Sequence, residues 1–151
     1  ETEEFSESGM SQPLTTSDIH ALDDKRLSIL VVEDNSANMK LTTNLLQLGG
    51  YKALPAFTSE EAIAILKTHT PALILMDISL PGMDGLSATH AIKSNPATSN
   101  IPVVALTAHA MKDDEKRAME AGCDAYLVKP VDTRKFYRTI WKILEPTKVN
   151  S

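Results

Sequence analysis

The feature that most constrains the fold is a fivefold alternation of short apolar runs with helical patterns. The apolar runs span residues 27–32, 51–56, 72–76, 101–106 and 125–128. Runs of this length, rich in aliphatic side chains and closed by polar or turn residues, are typical of buried strands. A chain that alternates strand and helix in this way is predicted to form an α/β domain.

The segments after the apolar runs carry helix signals. We expect Ser36 to cap the first helix, Ser59 to precede the second, and Gly49 with Gly50 to end the first. A third helix is predicted to end near residue 93, a fourth to run over about 111–121, and a fifth over about 132–144. Gly122 suits the left-handed position that ends the fourth. The apolar residues predicted to share one helix face are Leu41, Leu45 and Leu48; Ala62, Ile63 and Leu66; and Phe136, Ile140, Ile143 and Leu144.

Short connections and continuously apolar strands predict a parallel sheet with helices on both faces. Right-handed crossovers then leave few arrangements of the strands. We expect a doubly wound, flavodoxin-like (βα)5 fold with a five-stranded parallel sheet in the order 2-1-3-4-5.

Composition fits this fold and argues against several other classes of protein. Hydrophobic residues make up 42% of the 151 residues, which is enough for a core. No apolar run reaches the roughly 18 residues that span a bilayer, and no signal peptide is visible, so we expect no membrane insertion. The single cysteine, Cys123, permits no intrachain disulfide and fits a cytoplasmic location.

The net charge of −5 is concentrated at the N-terminus, because residues 1–26 hold seven acidic and two basic residues while the remainder holds thirteen of each. This polar segment is predicted to be a disordered tail or linker. We place the folded domain at 27–145 and a short C-terminal tail at 146–151. A neutral domain behind an acidic tail lacks the clustered Lys and Arg that bind phosphate backbones, so no nucleic-acid partner is expected.

Chemically coherent side chains follow the predicted strands. Glu33 and Asp34 end the first, Asp77 the third, Thr107 the fourth and Lys129 the fifth. The carboxyl ends of parallel strands meet at one edge, where such sheets bind ligands. Three carboxylates there require a cation, and hard oxygen ligands favour Mg²⁺. A carboxylate nucleophile, a metal, a hydroxyl and an ammonium group are the components of phosphoryl transfer to aspartate.

At this point the chain resembles the receiver domain of two-component response regulators. The resemblance covers residues 27–145 and is carried by four segments in order, each at a strand end. They read ILVVEDN at 29–35, LMDISLPGMDG at 75–85, PVVALTA at 102–108 and GCDAYLVKP at 122–130. Together and in this order they are strongly specific for the family.

The resemblance implies a role for each matching residue. Asp77 would accept a phosphoryl group, and Thr107 and Lys129 would contact it. The Mg²⁺ ligands implied are Glu33, Asp34, Asp77 and the backbone carbonyl of Ser79. Tyr126 would turn inward as Thr107 shifts, and the Lys129–Pro130 peptide bond would be cis. The implied partners are a histidine kinase or histidine phosphotransfer protein and a downstream protein target, and the chain would catalyse only its own phosphorylation and dephosphorylation.

Several alternatives stay open from the sequence. An aspartyl-nucleophile phosphohydrolase would carry a second Asp where Ser79 stands, and a flavodoxin would need a Ser-, Thr- and Gly-rich loop in place of residues 33–35. A receiver used only as a docking scaffold is a third alternative. Tyr137 and Trp141 fit either helix packing or a docking face. The chain is expected to be a free-standing regulator or the receiver of a hybrid histidine kinase, since only about six residues follow its last predicted helix.

Overall fold

The computed structural model describes residues 26–78, 85–108 and 112–150. The predicted tail lies outside these ranges except for Arg26, and so does Ser79. Within the described residues, no helix has the length and apolar character required to cross a membrane.

The sheet has the predicted order and direction. Its strands are β1 (Ser28–Val32), β2 (Lys52–Ala56), β3 (Leu73–Asp77), β4 (Val103–Thr107) and β5 (Ala125–Val128). They lie in the order β2-β1-β3-β4-β5, and every neighbouring pair is parallel. The prediction of a doubly wound five-stranded sheet is therefore confirmed. Because the strands are parallel, all five have their carboxyl ends at the same end of the sheet.

β2 lies at one edge of this sheet and contains a proline. Its Lys52 N–H donates to the Leu27 carbonyl at 2.9 Å, and its Ala56 carbonyl accepts from the Glu33 N–H at 3.0 Å. These groups face β1. Because backbone groups in a parallel strand alternate in direction, Pro55 faces the open side of the sheet.

The helices are α1 (Ser36–Leu48), α2 (Ser59–Leu66), α3 (Gly85–Ser94), α4 (Lys112–Ala121) and α5 (Thr133–Asn150). α5 is longer than the predicted span of about 132–144. Gly50 and Gly122 have φ values of 90° and 110°, which confirms the glycine-closed ends predicted for α1 and α4.

The predictions for Ser36 and Ser59 are both wrong by one position. Ser36 is the first residue of α1 rather than its cap, and Ser59 is the first residue of α2 rather than the residue before it. Asn35 caps α1 by accepting from the Asn38 N–H at 2.8 Å. Thr58 caps α2 by accepting from the Glu61 N–H at 3.0 Å. Ser, Thr and Asn are all good caps, so adjacent candidates are separated only by which backbone is extended.

Two buried layers of side chains hold the helices on opposite faces of the sheet. One layer packs alternate strand residues such as Leu30 and Ile74 against α2, α3 and α4. The other packs the intervening residues, such as Ile29 and Leu75, against α1 and α5. The predicted inward face of α5 is confirmed for Phe136, Ile140, Ile143 and Leu144.

The apolar face predicted for α1 is only partly the buried one, because Leu45 alone of its three residues packs against the core. Leu41 and Leu48 are 58% and 82% exposed, whereas Met39 and Leu46 are buried. Two apolar stripes run along this helix at helical spacing, and periodicity alone does not decide which of them meets the sheet. α1 therefore presents exposed leucines to its surroundings.

Two further helix predictions have mixed outcomes. In α2, Ala62 and Leu66 pack against the core as expected, but Ile65 rather than Ile63 joins them. Tyr137 of α5 packs inside the fold, since its hydroxyl donates to the Leu45 carbonyl at 2.7 Å. Trp141 is 48% exposed.

Candidate functional site

The first part of the site is the loop that follows β1. Glu33 is buried with 1% of its surface exposed, although Asp34 beside it is exposed. One Glu33 carboxylate oxygen, Oε2, accepts from the Asn35 N–H at 3.2 Å. The loop therefore aims one acidic side chain into the protein and leaves the next at the surface.

Asp77 is the last residue of β3 and is 3% exposed. The strand ladder continues past it, because the Ile78 N–H donates to the Leu106 carbonyl at 3.0 Å. The first residue of α3, Gly85, lies directly against this backbone. A Cβ at Gly85 would overlap the carbonyl oxygen of Asp77 and the Cα of Ile78. Only glycine allows α3 to begin so close to the Asp77 backbone.

Lys129 joins the two acidic strand ends. Its Nζ donates to Glu33 Oε1 at 2.7 Å and to Asp77 Oδ2 at 3.1 Å. The Lys129 backbone N–H donates to the Thr107 carbonyl at 2.7 Å, which fixes the residue just past β5. The peptide bond to Pro130 is cis, as predicted.

The charges of these groups act on one another. Burial raises the pKa of Glu33, the Lys129 hydrogen bond opposes this, and Asp77 adds to it. For Lys129, burial lowers the pKa, but hydrogen bonds and charge from Glu33 and Asp77 outweigh burial, so its pKa is raised. Lys129 is therefore a firmly charged ammonium group at neutral pH.

Glu33, Asp34 and Asp77 form an acidic cluster suited to a metal ion. Each offers a carboxylate oxygen, and these three atoms lie within 4.8 Å of one another. All three donors are hard oxygen atoms, which suit Mg²⁺. Among the described residues, Lys129 brings one positive charge to two of these carboxylates, so the three carboxylates carry negative charge beyond what Lys129 offsets, and a divalent cation would offset it. The residues present therefore fit a divalent metal.

Thr107 and Tyr126 lie on the two strands beyond β3. Thr107 ends β4, is 2% exposed and pairs in register with Val128. Tyr126 is half-buried and packs against the core layer under α4. Burial, then the carboxylates of Glu115 and Asp114 on α4, raises the pKa of its hydroxyl. The Tyr126 ring is thus placed where strand β5 meets α4.

The structure brings together five of the residues predicted from strand ends: Glu33, Asp34, Asp77, Thr107 and Lys129. Ser79 lies outside the described residues, so its predicted carbonyl ligand stays a prediction. Gly85 was not singled out from the sequence as a site residue. The signal was its position as the last residue of the LMDISLPGMDG segment, directly before a helix.

Comparisons with known proteins agree with this geometry. Residues 29–140 match the family described as the response regulator receiver domain. The polar-differentiation response regulator DivK of Brucella ovis is 43% identical over 113 residues, which cover 75% of this chain and 92% of that protein. The chain therefore belongs to the response regulator receiver domain family.

Solved structures show the same fold. The receiver domain of the sensor histidine kinase PA1611 from Pseudomonas aeruginosa PAO1, with magnesium coordinated in its active-site cleft, has a TM-score of 0.75 and 31% identity. The alignment covers 80% of this chain and 98% of that one. A CheY-like receiver domain protein from Methanospirillum hungatei JF-1 has a TM-score of 0.75 and 27% identity, over 83% and 99% of the two chains.

Family membership decides between the classes that the sequence left open. The chain is a phosphoacceptor receiver domain of two-component phosphorelay signalling, and a signalling regulator. The alternatives of a flavodoxin and of an aspartyl-nucleophile phosphohydrolase are therefore rejected. The acidic cluster is compatible with metal binding.

Proposed function

We propose that Asp77 is the phosphoacceptor, that Glu33, Asp34 and Asp77 hold Mg²⁺, with the Ser79 carbonyl as a further ligand, and that Thr107 and Lys129 bind the phosphoryl group. The observation that carries this proposal is the pair of hydrogen bonds from Lys129 Nζ to Asp77 and Glu33, at the edge where the acidic cluster lies. Glu33 is equally buried and shares this ammonium partner, so Asp77 is assigned as the phosphoacceptor because it ends β3, the central strand of the sheet, in the segment that resembles the family's phosphoacceptor segment.

The reaction is transfer of a phosphoryl group from a phosphohistidine. A carboxylate oxygen of Asp77 forms a bond to phosphorus, the P–N bond breaks, and the histidine leaves with the electron pair and takes up a proton. Bound Mg²⁺ would offset negative charge on the attacking and phosphoryl oxygens. Water later hydrolyses the acyl phosphate at Asp77, so the chain catalyses only its own phosphorylation and dephosphorylation.

Lys129 has a defined part in this transfer. In the unphosphorylated protein its ammonium group is shared between Asp77 and Glu33. When Asp77 carries the phosphoryl group, Lys129 keeps Glu33 as a partner and turns its other donors toward a phosphoryl oxygen. Lysine suits this role because its three donors rotate about a compact charge.

Thr107 and Tyr126 are proposed to carry the response. Thr107 ends the strand beside Asp77, and Tyr126 lies on the next strand against α4. A hydroxyl drawn toward the phosphoryl group would vacate space that the Tyr126 ring enters. The readout surface would then comprise α4, β5 and α5, and phosphorylation would bias an existing equilibrium between two arrangements.

The proposed phosphodonor is a histidine kinase or a histidine phosphotransfer protein, in the cytoplasm. α1 offers it a surface. Leu41 is exposed, and a cavity of about 70 Å³ extends from Leu41 and Leu45 to Glu33 and Lys129. A donor seated on this apolar face would have its histidine beside the acidic cluster. The downstream partner is proposed to be a protein, with no nucleic acid bound directly.

The test uses acetyl phosphate, a small donor that needs no partner. The wild-type chain with acetyl phosphate and Mg²⁺ should gain the mass of one phosphoryl group, and EDTA should prevent this. Asp77→Asn should gain nothing, while Asp113→Asn, an exposed carboxylate on α4, should behave as wild type. An unmodified wild-type chain, or an equally modified Asp77→Asn chain, would refute the assignment.

A further inference from the structure

Lys93 lies in the last turn of α3, at the end of the sheet opposite the acidic cluster. Its Nζ donates to the Ile101 carbonyl at 2.8 Å, to Asp124 Oδ2 at 3.0 Å and to the Ser99 carbonyl at 3.4 Å. An ammonium group has three N–H donors, and each of them has an acceptor here. The Lys93 side chain is 19% exposed and that of Asp124 is 44% exposed, so the lysine is the more sheltered partner of this ion pair.

Asp124 carries the connection onward to the sheet. The same Oδ2 atom that accepts from Lys93 also accepts from the Val103 N–H at 2.8 Å. The Asp124 N–H in turn donates to the Val103 carbonyl at 2.7 Å. One lysine therefore ties together the end of α3, the loop before β4, the first residue of β4 and the residue before β5.

The end of α4 is held at the same place. Gly122, which closes α4, has φ = 110°, and a Cβ there would lie 2.9 Å from Lys93 Cγ. The aliphatic part of Lys93 thus passes directly over this glycine. The Cys123 N–H donates to the Ala118 carbonyl at 3.0 Å, and both residues are buried.

The N-terminal half of α4 is less buried than the C-terminal end. From residue 113 to residue 117 no side chain is buried, and the first buried side chain from residue 113 onward is Ala118. This polar half is charged, with Asp113, Asp114 and Glu115 in its first turn. It is also the half that follows Thr107 along the chain. The carboxylates of Glu115 and Asp114 lie close enough to the Tyr126 hydroxyl to raise its pKa, after the larger effect of burial.

We infer that Lys93 anchors the C-terminal end of α4, so that the response to phosphorylation is a turning of the N-terminal half of α4 about this fixed end. This inference rests on the proposed phosphorylation of Asp77, whose regulation it describes. Lys93 is a positioning residue that confines the movement to the N-terminal half of α4. It touches neither the phosphoryl group nor the acidic cluster.

The experiment is hydrogen exchange, read by mass spectrometry on the full 151-residue chain, with and without excess acetyl phosphate and Mg²⁺. In the wild type, phosphorylation should change exchange over residues 112–117 and leave 118–124 unchanged. In Lys93→Met the methionine still covers Gly122 but the charged donors are gone. There, phosphorylation should raise exchange over 118–124 by about tenfold, as loss of a charged hydrogen bond would produce.

Two further variants complete the design. Asp124→Asn keeps an oxygen acceptor for Val103 but removes the charge that faces Lys93. It should show the same raised hydrogen exchange over residues 118–124, even if Lys93→Met folds poorly. Lys67→Met, which removes an exposed lysine at the end of α2, should match wild type. An even change along α4 in wild type, or a wild-type pattern in both anchor variants, would overturn the inference.

Intact mass measured on the same samples separates the two proposals. If the wild-type chain gains no phosphoryl group, the proposed function fails at Asp77. If it gains the group and the anchor variants respond like wild type, Asp77 keeps its role and only the anchor is refuted.

Discussion

Glu33 and Lys129 depend on each other inside the site. Glu33 is buried, and the Lys129 ammonium group lies 2.7 Å from its carboxylate. A buried carboxylate that loses its counter-charge incurs its full desolvation cost. Their ion pair therefore matters to folding as well as to phosphoryl transfer.

Lys129→Met should lower the free energy of unfolding at pH 7.5 in EDTA by about 2 kcal/mol, because Glu33 and Asp77 would lose this ammonium group. The raised pKa of Glu33 sets the sign with pH. Destabilisation by an ionised Glu33 is absent below its unfolded-state pKa and grows as pH rises through its folded-state pKa. The difference in free energy of unfolding between the wild type and the variant, measured by urea denaturation, should therefore shrink toward pH 4.5. A constant difference from pH 4.5 to 7.5 would contradict this account.

Cys123 should be an unreactive thiol. Burial raises its pKa to about 11 from 9.0. Near pH 8 this alone makes the thiolate about a hundredfold scarcer than in the unfolded chain. Iodoacetamide should therefore label the native protein at least that much more slowly than the protein in urea, read by intact mass. Equal labelling rates in the two states would show that Cys123 is not buried in solution.

At the scale of elements, the start of α3 positions the phosphoacceptor strand. Gly85→Ala would place a methyl group against the Asp77 backbone. We expect about a tenfold or greater fall in the rate of phosphorylation by acetyl phosphate, since small displacements at a reacting group are costly. Ala88→Gly, a buried change on the same helix, is the control for lost stability. Equal loss of rate in both variants would assign the effect to folding alone.

The exposed stripe of α1 should matter only for a protein donor. Leu41→Asp should reduce transfer from a phosphorylated phosphotransfer protein by about tenfold or more, as loss of a central apolar contact does. Phosphorylation by acetyl phosphate should be unchanged. Met119→Asp is the matched control, because Met119 is similarly exposed but lies on α4. If the protein donor does not distinguish Leu41→Asp from Met119→Asp, α1 is not the donor surface.

For the whole molecule, metal binding should be linked to stability. A ligand that binds only the folded state at ten times its dissociation constant adds about 1.4 kcal/mol. Mg²⁺ should therefore raise the melting temperature of the wild type. Differential scanning calorimetry in a buffer without Ca²⁺ would measure this shift. Asp34→Asn should lose most of this shift, whereas Asp132→Asn, outside the acidic cluster, should keep it. An equal shift in both variants would place the metal elsewhere.

Much of this architecture could be predicted because it depends on short-range patterns. Parallel-sheet geometry sends every strand end to one edge, so Asp77, Thr107 and Lys129 could be grouped before any distance was known. The buried face of α1 could not, because Met39 and Leu41 begin two apolar stripes of similar quality. The Lys93–Asp124 pair joins residues 31 positions apart and leaves no local pattern.

The two edges of the sheet have a consequence for assembly. An open strand edge is a template for sheet growth between molecules. Pro55 removes an N–H from the open side of β2, and β5 at the other edge is only four residues long. Strand addition between molecules, the first step toward fibres, is thus obstructed at both edges, whereas exposed helix surfaces such as that of α1 remain open to contacts with other proteins.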